Sequence, residues 1–453
     1  MTTARSMAFQ VLLAWHRTGT YPDQLLRDLL GKNPPIKTLD RALLYQLVYG
    51  VLRWQGKLDW VLKQFSQRPL NKLSLKTLFI LRLGVFQLLF LSRIPVSAAV
   101  NESVKLAKSS RAPWTGGFVN AVLRSLERGK ANLLFPSRED PVSYLAVNFS
   151  HPAWLVEHWL ELFGFEKTEA LCQANNQIPP ITIRVNTLKI DREQLLERFQ
   201  PKALGVETTF FSPEGIRIEE PERPLVQDAL YQQGLFQIQD EASQMIAPMV
   251  DPHPGERILD LCAGAGGKAG HLAQLMNNQG SILAVDFHPK KITALLENAR
   301  RLGVTVIQGK VGDGLREDLF PKTARPFDRI LIDAPCSGWG VIGRNPDLKW
   351  RLGPEDSKRL ARMQNKFLQN AARWLKPKGI LVYCTCTLSR EENQDVIKNF
   401  LNGHPEFLLE DVSPFLPEPA CMLIDAQGFF QTYPPAHRMD GFFAARMKKI
   451  KGH

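Results

Sequence analysis

Residues 257–268 read Arg257-Ile258-Leu259-Asp260-Leu261-Cys262-Ala263-Gly264-Ala265-Gly266-Gly267-Lys268, an apolar run that leads directly into a glycine-rich turn. The run predicts a buried strand, and Leu272, Leu275 and Met276 after the turn are spaced as in a helix. Glycines at a strand-to-helix turn allow the backbone to approach a ligand closely. The stretch therefore predicts the first strand, the ligand loop and the first helix of a doubly wound α/β sheet.

Two acidic residues follow at the positions where the next strands of such a sheet end. The apolar run at residues 282–285 ends at Asp286, about 20 residues beyond the loop, where a ribose-binding acid is expected. A third strand leads to Asp313, which suits a contact with an adenine edge or, alternatively, a simple turn. The loop lacks the G-x-G-x-x-G pattern and no hydride-transfer site follows, so S-adenosylmethionine is favoured over NAD.

Two cysteines lie just beyond two further strand-like runs. Cys336 follows the run at residues 329–332 in the sequence Asp333-Ala-Pro-Cys-Ser, and Cys386 follows the run at residues 380–382 in Tyr-Cys-Thr-Cys-Thr. Since the carboxyl ends of the strands share one edge of an open α/β sheet, two thiols are expected there. That arrangement indicates a covalent enzyme intermediate. A metal site is not expected, because Cys384-x-Cys386 has no second pair or spaced histidines.

Charge is distributed unevenly along the 453 residues. The chain carries 57 Lys+Arg against 45 Asp+Glu, a net charge of +12, whereas residues 1–135 alone carry 20 against 6, a net charge of +14. The basic excess therefore belongs to the N-terminal third, which favours a nucleic-acid-binding module. A solubilising surface is the alternative interpretation.

Periodicity divides the chain into three predicted domains. Residues 1–135 show helical spacing throughout, residues 140–235 mix helix and strand, and residues 236–450 alternate strands and helices. The most apolar stretch, residues 78–91, is too short to span a bilayer, and no secretory signal is recognisable. Six cysteines without a regular framework suit a reducing compartment. We expect a cytoplasmic monomer with no membrane contact.

Several longer motifs allow a more specific interpretation. The chain resembles the RsmB (Sun/Fmu) family of ribosomal RNA cytosine-5 methyltransferases, and its N-terminal helices resemble the RNA-binding antitermination factor NusB. The resemblance covers nearly the whole chain. The matching segments are Asp260–Lys268, Asp333–Ser337, Arg344–Trp350, Tyr383–Thr387 with Glu391–Asn393, Asp440–Phe443, and Phe236–Ser243, which resembles the entry to the catalytic domain.

The resemblance implies a fold, a cofactor and residue roles. It implies a Rossmann-like S-adenosylmethionine-dependent domain behind a small α+β module and a NusB-like domain, acting on 16S ribosomal RNA. By resemblance Cys386 is the nucleophile, Cys336 assists product release, and Asp333 hydrogen-bonds the cytosine, while Lys268 organises the pocket. The expected cofactor site comprises Cys262, Ala263, Gly264, Ala265, Gly266, Gly267, Lys268, Asp286, Asp313 and Asp333.

RNA contacts are expected from three basic residues, although ordinary solvated side chains are the alternative. Arg184 lies on the small module, and Arg344 and Lys349 follow the Cys336 loop.

The chain departs from the family pattern at the glycine-rich loop, where Gly264-Ala265 replaces Ala-Pro, and at Cys384, where serine is usual. Two rival functions remain open: the same chemistry on another RNA such as transfer RNA, and a non-catalytic NusB-like RNA-binding factor. A DNA enzyme is disfavoured, because there the Pro-Cys thiol is the nucleophile and Cys386 has no role.

Overall fold

The computed structural model describes residues 3–33, 36–109, 115–321 and 323–450. Two compact units make up the chain: Met1–Gln177 with Asn345–Gly353, and Ile178–Arg344 with Pro354–His453. The prolines at positions 34 and 35, which predict a helix end, lie outside the described residues.

The first unit is helical in its described residues. Its helices are α1 (Ala4–Thr18), α2 (Pro22–Lys32), α3 (Thr38–Phe65), α4 (Leu75–Phe90), α5 (Val96–Lys108), α6 (Thr115–Gly129), α7 (Pro141–Asn148) and α8 (Ala153–Ala174). Helices α7 and α8 belong to this compact unit. The Ser150 hydroxyl after α7 accepts a hydrogen bond from the Gly56 amide of α3 at 2.9 Å.

Helix α4 is the centre of this helical unit. Ten of its residues are buried, so it is apolar around most of its circumference, as expected for a helix enclosed by others. Gly50 of α3 faces Phe86 of α4, and a side-chain carbon at Gly50 would lie only 2.0 Å from the ring. Close packing of α3 on α4 therefore requires glycine at that position. No helix of the described ranges is long and apolar enough to cross a membrane.

A small antiparallel sheet opens the second unit. Its strands are β1 (Ile181–Val185), β2 (Ala203–Thr208), β3 (Gly215–Pro221) and β4 (Phe236–Ile238), in the order β2-β3-β1-β4. Helices α9 (Arg192–Phe199) and α10 (Ala229–Gln232) accompany it. Phe199 of α9 packs edge-on against Phe236 of β4, and both rings are buried in the core of this module.

The larger sheet of the second unit has eight described strands. Most of the motifs singled out in the sequence lie in these strands or directly after them. Its strands are β5 (Arg257–Leu261), β6 (Ser281–Asp286), β7 (Ile307–Val311), β8 (Phe327–Asp333), β9 (Leu375–Thr385), β10 (Phe407–Glu410), β11 (Phe430–Gln431) and β12 (Phe443–Lys449). Its helices are α11 (Glu241–Gln244), α12 (Ile246–Val250), α13 (Gly267–Leu275), α14 (Pro289–Leu302), α15 (Asp356–Trp374), α16 (Gln394–Gly403) and α17 (Pro434–His437).

The strand order of this sheet determines where a ligand binds. The order is β10-β12-β9-β8-β5-β6-β7, in which β5 to β10 run in the same direction and β12, between β9 and β10, runs antiparallel to them. From β5 the chain adds β6 and β7 on one side and then returns to place β8 on the other. Ligands of open α/β sheets bind at the carboxyl ends of the strands, at such a reversal point. The predicted doubly wound sheet is therefore confirmed, with its ligand edge beyond β5 and β8.

Candidate active site

The loop between β5 and α13 has the backbone shape of a ligand cradle. Cys262, Gly264 and Gly266 all adopt positive φ angles, of 68°, 57° and 83°. A side-chain carbon at Gly264 would meet no atom within 4 Å, and the same holds at Gly267, so the loop borders open space. At Gly266 a side-chain carbon would lie 2.7 Å from Leu295, which explains the glycine there.

Asp286 ties this loop to the end of β6. Its carboxylate accepts hydrogen bonds from the Gly264 amide at 3.0 Å and the His288 amide at 2.9 Å. Lys291 lies 3.5 Å from the same carboxylate. Asp313, at the end of the next strand, is half-buried and accepts from the Leu315 amide at 2.9 Å. Both predicted acids thus lie at the ligand edge, on neighbouring strands.

Asp260 is a buried acid of this edge that sequence reasoning did not assign to the site individually. It lies in β5 with no exposed surface, and neither carboxylate oxygen has a hydrogen-bond partner among the described residues. Burial first, and then the charge of Asp333, raises the pKa of Asp260 to about 8. A single aspartate inside an apolar strand was the available signal, since such a group is costly to bury unpaired.

These features fit S-adenosylmethionine. The open cradle accepts a ligand close to the backbone, and the strand-end acids accept hydrogen bonds from donors such as ribose hydroxyls and an ammonium group. The buried Asp260 carboxyl group beside them has no hydrogen-bond partner among the described residues, so it can accept or donate a hydrogen bond to a ligand. The glycines and the acids therefore suit a nucleoside that also carries a cation.

Lys268 and Asp333 form an ion pair beside the cradle. Lys268 lies in the first turn of α13, Asp333 ends β8, and Nζ is 2.7 Å from a carboxylate oxygen. Burial opposes the charge of Lys268, but Asp333 outweighs it and raises the pKa of the ammonium group. The ammonium also lies 5.2 Å from the centre of the Phe442 ring. Lys268 is therefore a fixed positive charge in the site.

The two predicted thiols lie together at the same edge. The sulfur atoms of Cys336 and Cys386 are 3.4 Å apart, and each residue is half-buried. The hydrogen bond with Cys386 first, and burial second, raise the pKa of Cys336, so this thiol keeps its proton. Cys384 is fully buried and its sulfur donates to Asp333 at 3.5 Å. The expected pairing of Cys336 with Cys386 is thus present, and Cys384 is directed towards the acid.

A buried glutamate and its neighbour hold the two cysteine loops. The Glu392 carboxylate accepts hydrogen bonds from the Ser337 amide at 3.0 Å and the Gln364 side chain at 2.9 Å. Asn393 donates to the Thr387 carbonyl at 2.9 Å. The hydroxyls of Ser337 and Thr387 are 2.6 Å apart, which joins the loops directly. We call Ser337, Thr387, Glu392 and Asn393 the loop clamp.

Two of the three residues predicted to bind RNA, Arg184 and Arg344, lie in the second unit and make contacts inside the protein. Arg184 is 1% exposed, donates to the Gly267 carbonyl at 2.9 Å and also bonds Gln239. Burial lowers its pKa to about 10. Arg344 donates to Asp240 at 2.6 Å and to Asp440 at 2.9 Å. The burial of Arg184 contradicts its predicted RNA contact, and this residue supports the cofactor loop. Arg344 fastens the chain after the Cys336 loop, but its side chain is 27% exposed and its RNA contact stays a prediction.

Lys349 lies in the helical unit, and its burial also contradicts its predicted RNA contact. Its side chain is buried and donates to the carbonyls of Arg53 and Ser150 at 3.1 and 3.0 Å, and to the Asn176 amide oxygen at 2.9 Å. Burial lowers the pKa of its ammonium well below the ordinary range. With every hydrogen used by protein oxygens, Lys349 is unavailable to an RNA phosphate.

Fold and site together define an S-adenosylmethionine-dependent methyltransferase. Three family models match successive parts of the chain: the NusB family (residues 2–128), the ferredoxin-like domain of RsmF/B-like methyltransferases (151–224) and the 16S rRNA methyltransferase RsmB/F (247–448). The chain belongs to this RsmB/F methyltransferase family.

Individual relatives match the chain over its whole length. A Bacillus subtilis protein named probable ribosomal RNA small subunit methyltransferase B is 37% identical over 99% of both chains. The solved structure named PH0851 is 28% identical, covers 98% of both chains and has a TM-score of 0.82. A methyltransferase homologue from Pyrococcus horikoshii is 29% identical over 68% of this chain and 99% of its own, with a TM-score of 0.58.

Proposed function

We propose that the enzyme transfers a methyl group from S-adenosylmethionine to carbon 5 of a cytosine in 16S ribosomal RNA, through a covalent bond between Cys386 and carbon 6. The observation that carries this proposal is the pair of thiols, 3.4 Å apart, at the cofactor edge of the sheet and close to the Lys268–Asp333 ion pair. The names of the relatives support a small-subunit ribosomal RNA as the substrate.

The cofactor site of the proposal consists of the cradle and the strand-end acids. We assign Cys262, Ala263, Gly264, Ala265, Gly266, Gly267 and Lys268 to the cradle, and Asp286, Asp313 and Asp333 to the acids. When bound, S-adenosylmethionine supplies an electrophilic methyl group. The Asp286 carboxylate accepts hydrogen bonds from two backbone amides, so it stabilises the conformation of the cradle. It also lies at the edge of the sheet where we place the cofactor.

The protein contributes a nucleophile and a way to release it. Carbon 5 of cytosine is a weak nucleophile until the Cys386 sulfur adds to carbon 6, which makes the ring an enamine. After carbon 5 is methylated, its proton leaves and the bond between sulfur and carbon 6 breaks, restoring the aromatic ring. Cys336 lies close enough to Cys386 to act on the same adduct, and we assign release to it. Asp333 hydrogen-bonds the cytosine edge and stabilises the protonated ring.

RNA binding is assigned to the two modules that precede the catalytic domain. We propose residues 1–135 as the NusB-like RNA-binding domain, 140–235 as a small RNA-binding module and 236–450 as the catalytic domain. The target cytosine must be single-stranded or flipped out, because carbon 6 is inaccessible within a duplex. The net charge of +14 in residues 1–135 suits contacts with surrounding phosphates, whose strength falls with salt. We also propose that the enzyme is a monomer, acts in the cytoplasm and uses no metal ion. Analytical ultracentrifugation tests the oligomeric state, and elemental analysis of the purified protein tests the metal content.

The substrate is tested with purified protein and radioactive S-adenosylmethionine. The RNA comes from cells lacking the gene, and 16S ribosomal RNA and total transfer RNA are tested in parallel, followed by mapping of 5-methylcytosine. We expect label at a cytosine of 16S RNA with the parent chain and none with Cys386→Ser. Label in transfer RNA alone would refute the proposed substrate. RNA binding without label in either RNA would favour the non-catalytic alternative.

The roles of the two cysteines are tested by trapping the adduct. Cys336→Ala should accumulate a covalent protein–RNA complex, because attack continues while release is blocked. Cys386→Ala should give none, because the attacking sulfur is absent. Denaturing gel electrophoresis with labelled RNA detects the complex. The opposite pattern would exchange the two assignments.

A further inference from the structure

The two thiols at the active site lie close enough to form a disulfide after a small movement. The sulfur atoms of Cys336 and Cys386 are 3.4 Å apart, whereas a disulfide bond is about 2.05 Å long, so closure needs only a small movement. Both residues are half-buried, which leaves room for a small oxidant to reach them. The strand register sets up this approach, since Asp333 and Cys384 are paired across β8 and β9 and each cysteine follows two or three residues later.

The backbone around the pair favours closure. The Ala334 amide donates to the Cys384 carbonyl at 2.9 Å, and the Gly340 amide donates to the Cys386 carbonyl at 3.0 Å. These bonds bracket the thiols on both sides, and the loop clamp joins the residues that follow each cysteine. The loops therefore hold the two sulfurs close to the separation that a disulfide requires, and little conformational entropy is lost when the bond forms.

We propose that Cys336 and Cys386 form a reversible intramolecular disulfide when the enzyme meets a peroxide, and that this modification switches methyl transfer off. The loss of activity rests on the proposed function, because it assumes that Cys386 is the nucleophile. The disulfide itself rests only on the geometry of the two sulfurs.

The chemistry is balanced with one molecule of hydrogen peroxide. The Cys386 sulfur attacks one peroxide oxygen, the O–O bond breaks, and Cys386 becomes a sulfenic acid as water leaves. The Cys336 sulfur then attacks the oxidised sulfur, the S–O bond breaks, and a second water carries away the hydroxyl and the thiol proton. Two thiols have thus lost two electrons to the peroxide. A dithiol such as dithiothreitol reverses the oxidation by thiol–disulfide exchange.

Cys336 has the properties of the second thiol in this sequence. Its raised pKa keeps it protonated and slow to react with peroxide, yet it lies within reach as soon as Cys386 is oxidised. Rapid disulfide formation prevents further oxidation of Cys386 to a sulfinic acid, which is irreversible for most proteins. Cys384 is fully buried with its sulfur on Asp333, so it is poorly placed to compete.

The test uses the full-length protein, hydrogen peroxide and two independent measurements. After a limited exposure, free thiols are blocked with N-ethylmaleimide, and mass spectrometry of the peptides locates any disulfide. We expect two of the six thiols to be lost, with Cys336 linked to Cys386. Methyl transfer to 16S RNA should fall by more than about ten-fold, since the nucleophile is blocked, and should recover with dithiothreitol.

Two variants sharpen the result. In Cys336→Ala the peroxide should instead produce a sulfinic acid on Cys386 that dithiothreitol does not reverse. The matched control is Cys421→Ser, which removes a half-buried thiol outside the site and should leave both disulfide and recovery unchanged. A link from Cys384, a link between two molecules, or survival of all six thiols would overturn the inference. A disulfide in a protein that never methylates RNA would instead refute the proposed function alone.

Discussion

Asp260→Asn should stabilise the folded protein, and the effect should depend on pH. Asp260 is fully buried without a hydrogen-bond partner in the part of the chain that the structure describes, and its pKa is raised from 3.8 to about 8, first by burial and then by Asp333. Asparagine has nearly the same shape and never ionises. The substitution therefore removes the electrostatic cost and keeps the volume.

The magnitude follows from the difference between the folded and unfolded pKa values. Between about pH 4 and about pH 8 the unfolded chain releases the Asp260 proton while the folded protein retains it. The unfolded state then binds fewer protons, so stability falls as the pH rises through this window. Each pH unit is worth about 1.4 kcal/mol, so the cost at pH 7 is about 4 kcal/mol. That corresponds to a rise in Tm on the order of 10 °C for the variant.

Thermal unfolding measured from about pH 4.5 to about pH 8, roughly the range between the unfolded and folded pKa values of Asp260, tests this effect. The Tm of the variant should exceed that of the parent by an amount that grows with pH and nearly vanishes at the acidic end. Asp313→Asn is the matched control, because its half-buried carboxylate lies on the same edge and accepts one backbone hydrogen bond that asparagine also accepts. Asp313→Asn should follow the parent curve. Equal Tm values for Asp260→Asn and the parent at pH 7.5 would refute the reasoning.

Three further substitutions test other parts of the structure. Lys268→Met removes the charge paired with Asp333 and should lower methyl transfer by about 100-fold or more in a radioactive methyl assay, with unchanged circular dichroism. Glu392→Ala leaves the Ser337 amide unpaired and should lower methyl transfer, whereas Glu392→Gln should retain most of it. Lys349→Met removes three hydrogen bonds to protein oxygens and should destabilise the helical unit by about 3 kcal/mol, as measured by thermal unfolding, while S-adenosylmethionine binding stays the same.

The positions of the sheet and of its ligand edge were predictable from the sequence. The strands are short apolar runs with polar or glycine-rich residues immediately beyond them, and parallel strands place those residues at one edge. Cys336 and Cys386 are 50 residues apart in the chain, yet their strands are neighbours, so the prediction that the thiols share an edge needed only the strand order.

The use of the basic side chains was not predictable in the same way. Arg184 and Lys349 look like surface charges in the sequence, because nothing nearby in the chain shows what covers them. Their partners are backbone carbonyls, such as that of Gly267 for Arg184 and that of Arg53 for Lys349, at separations of 83 and 296 residues. Backbone acceptors carry no signature in a sequence. A buried cation that binds carbonyls is therefore indistinguishable from a solvated one until the fold is known.

The loop clamp gives the Glu-Glu-Asn motif after Cys386 a physical purpose. Strand register alone fixes residues only as far as the ends of β8 and β9, and both cysteines lie beyond them. Glu392 secures the Cys336 side through the Ser337 amide, and Asn393 secures the Cys386 side through the Thr387 carbonyl. A hydrogen bond to an ionised carboxylate such as Glu392 is worth about 1.5–3 kcal/mol, and the neutral bond of Asn393 about 0.5–1.5 kcal/mol, together enough to hold one loop geometry.

This clamp also connects the two kinds of chemistry that the thiols support. Release of the methylated RNA by Cys336 and disulfide closure both require the sulfurs of Cys336 and Cys386 to stay close, so Glu392→Ala should slow both. Asp286→Asn should weaken cofactor binding and methyl transfer but leave the rate of disulfide formation unchanged, because Asp286 contacts the cradle and neither thiol loop. If Glu392→Ala lowered methyl transfer while the disulfide formed as fast as in the parent, the clamp would not be what holds the sulfurs together.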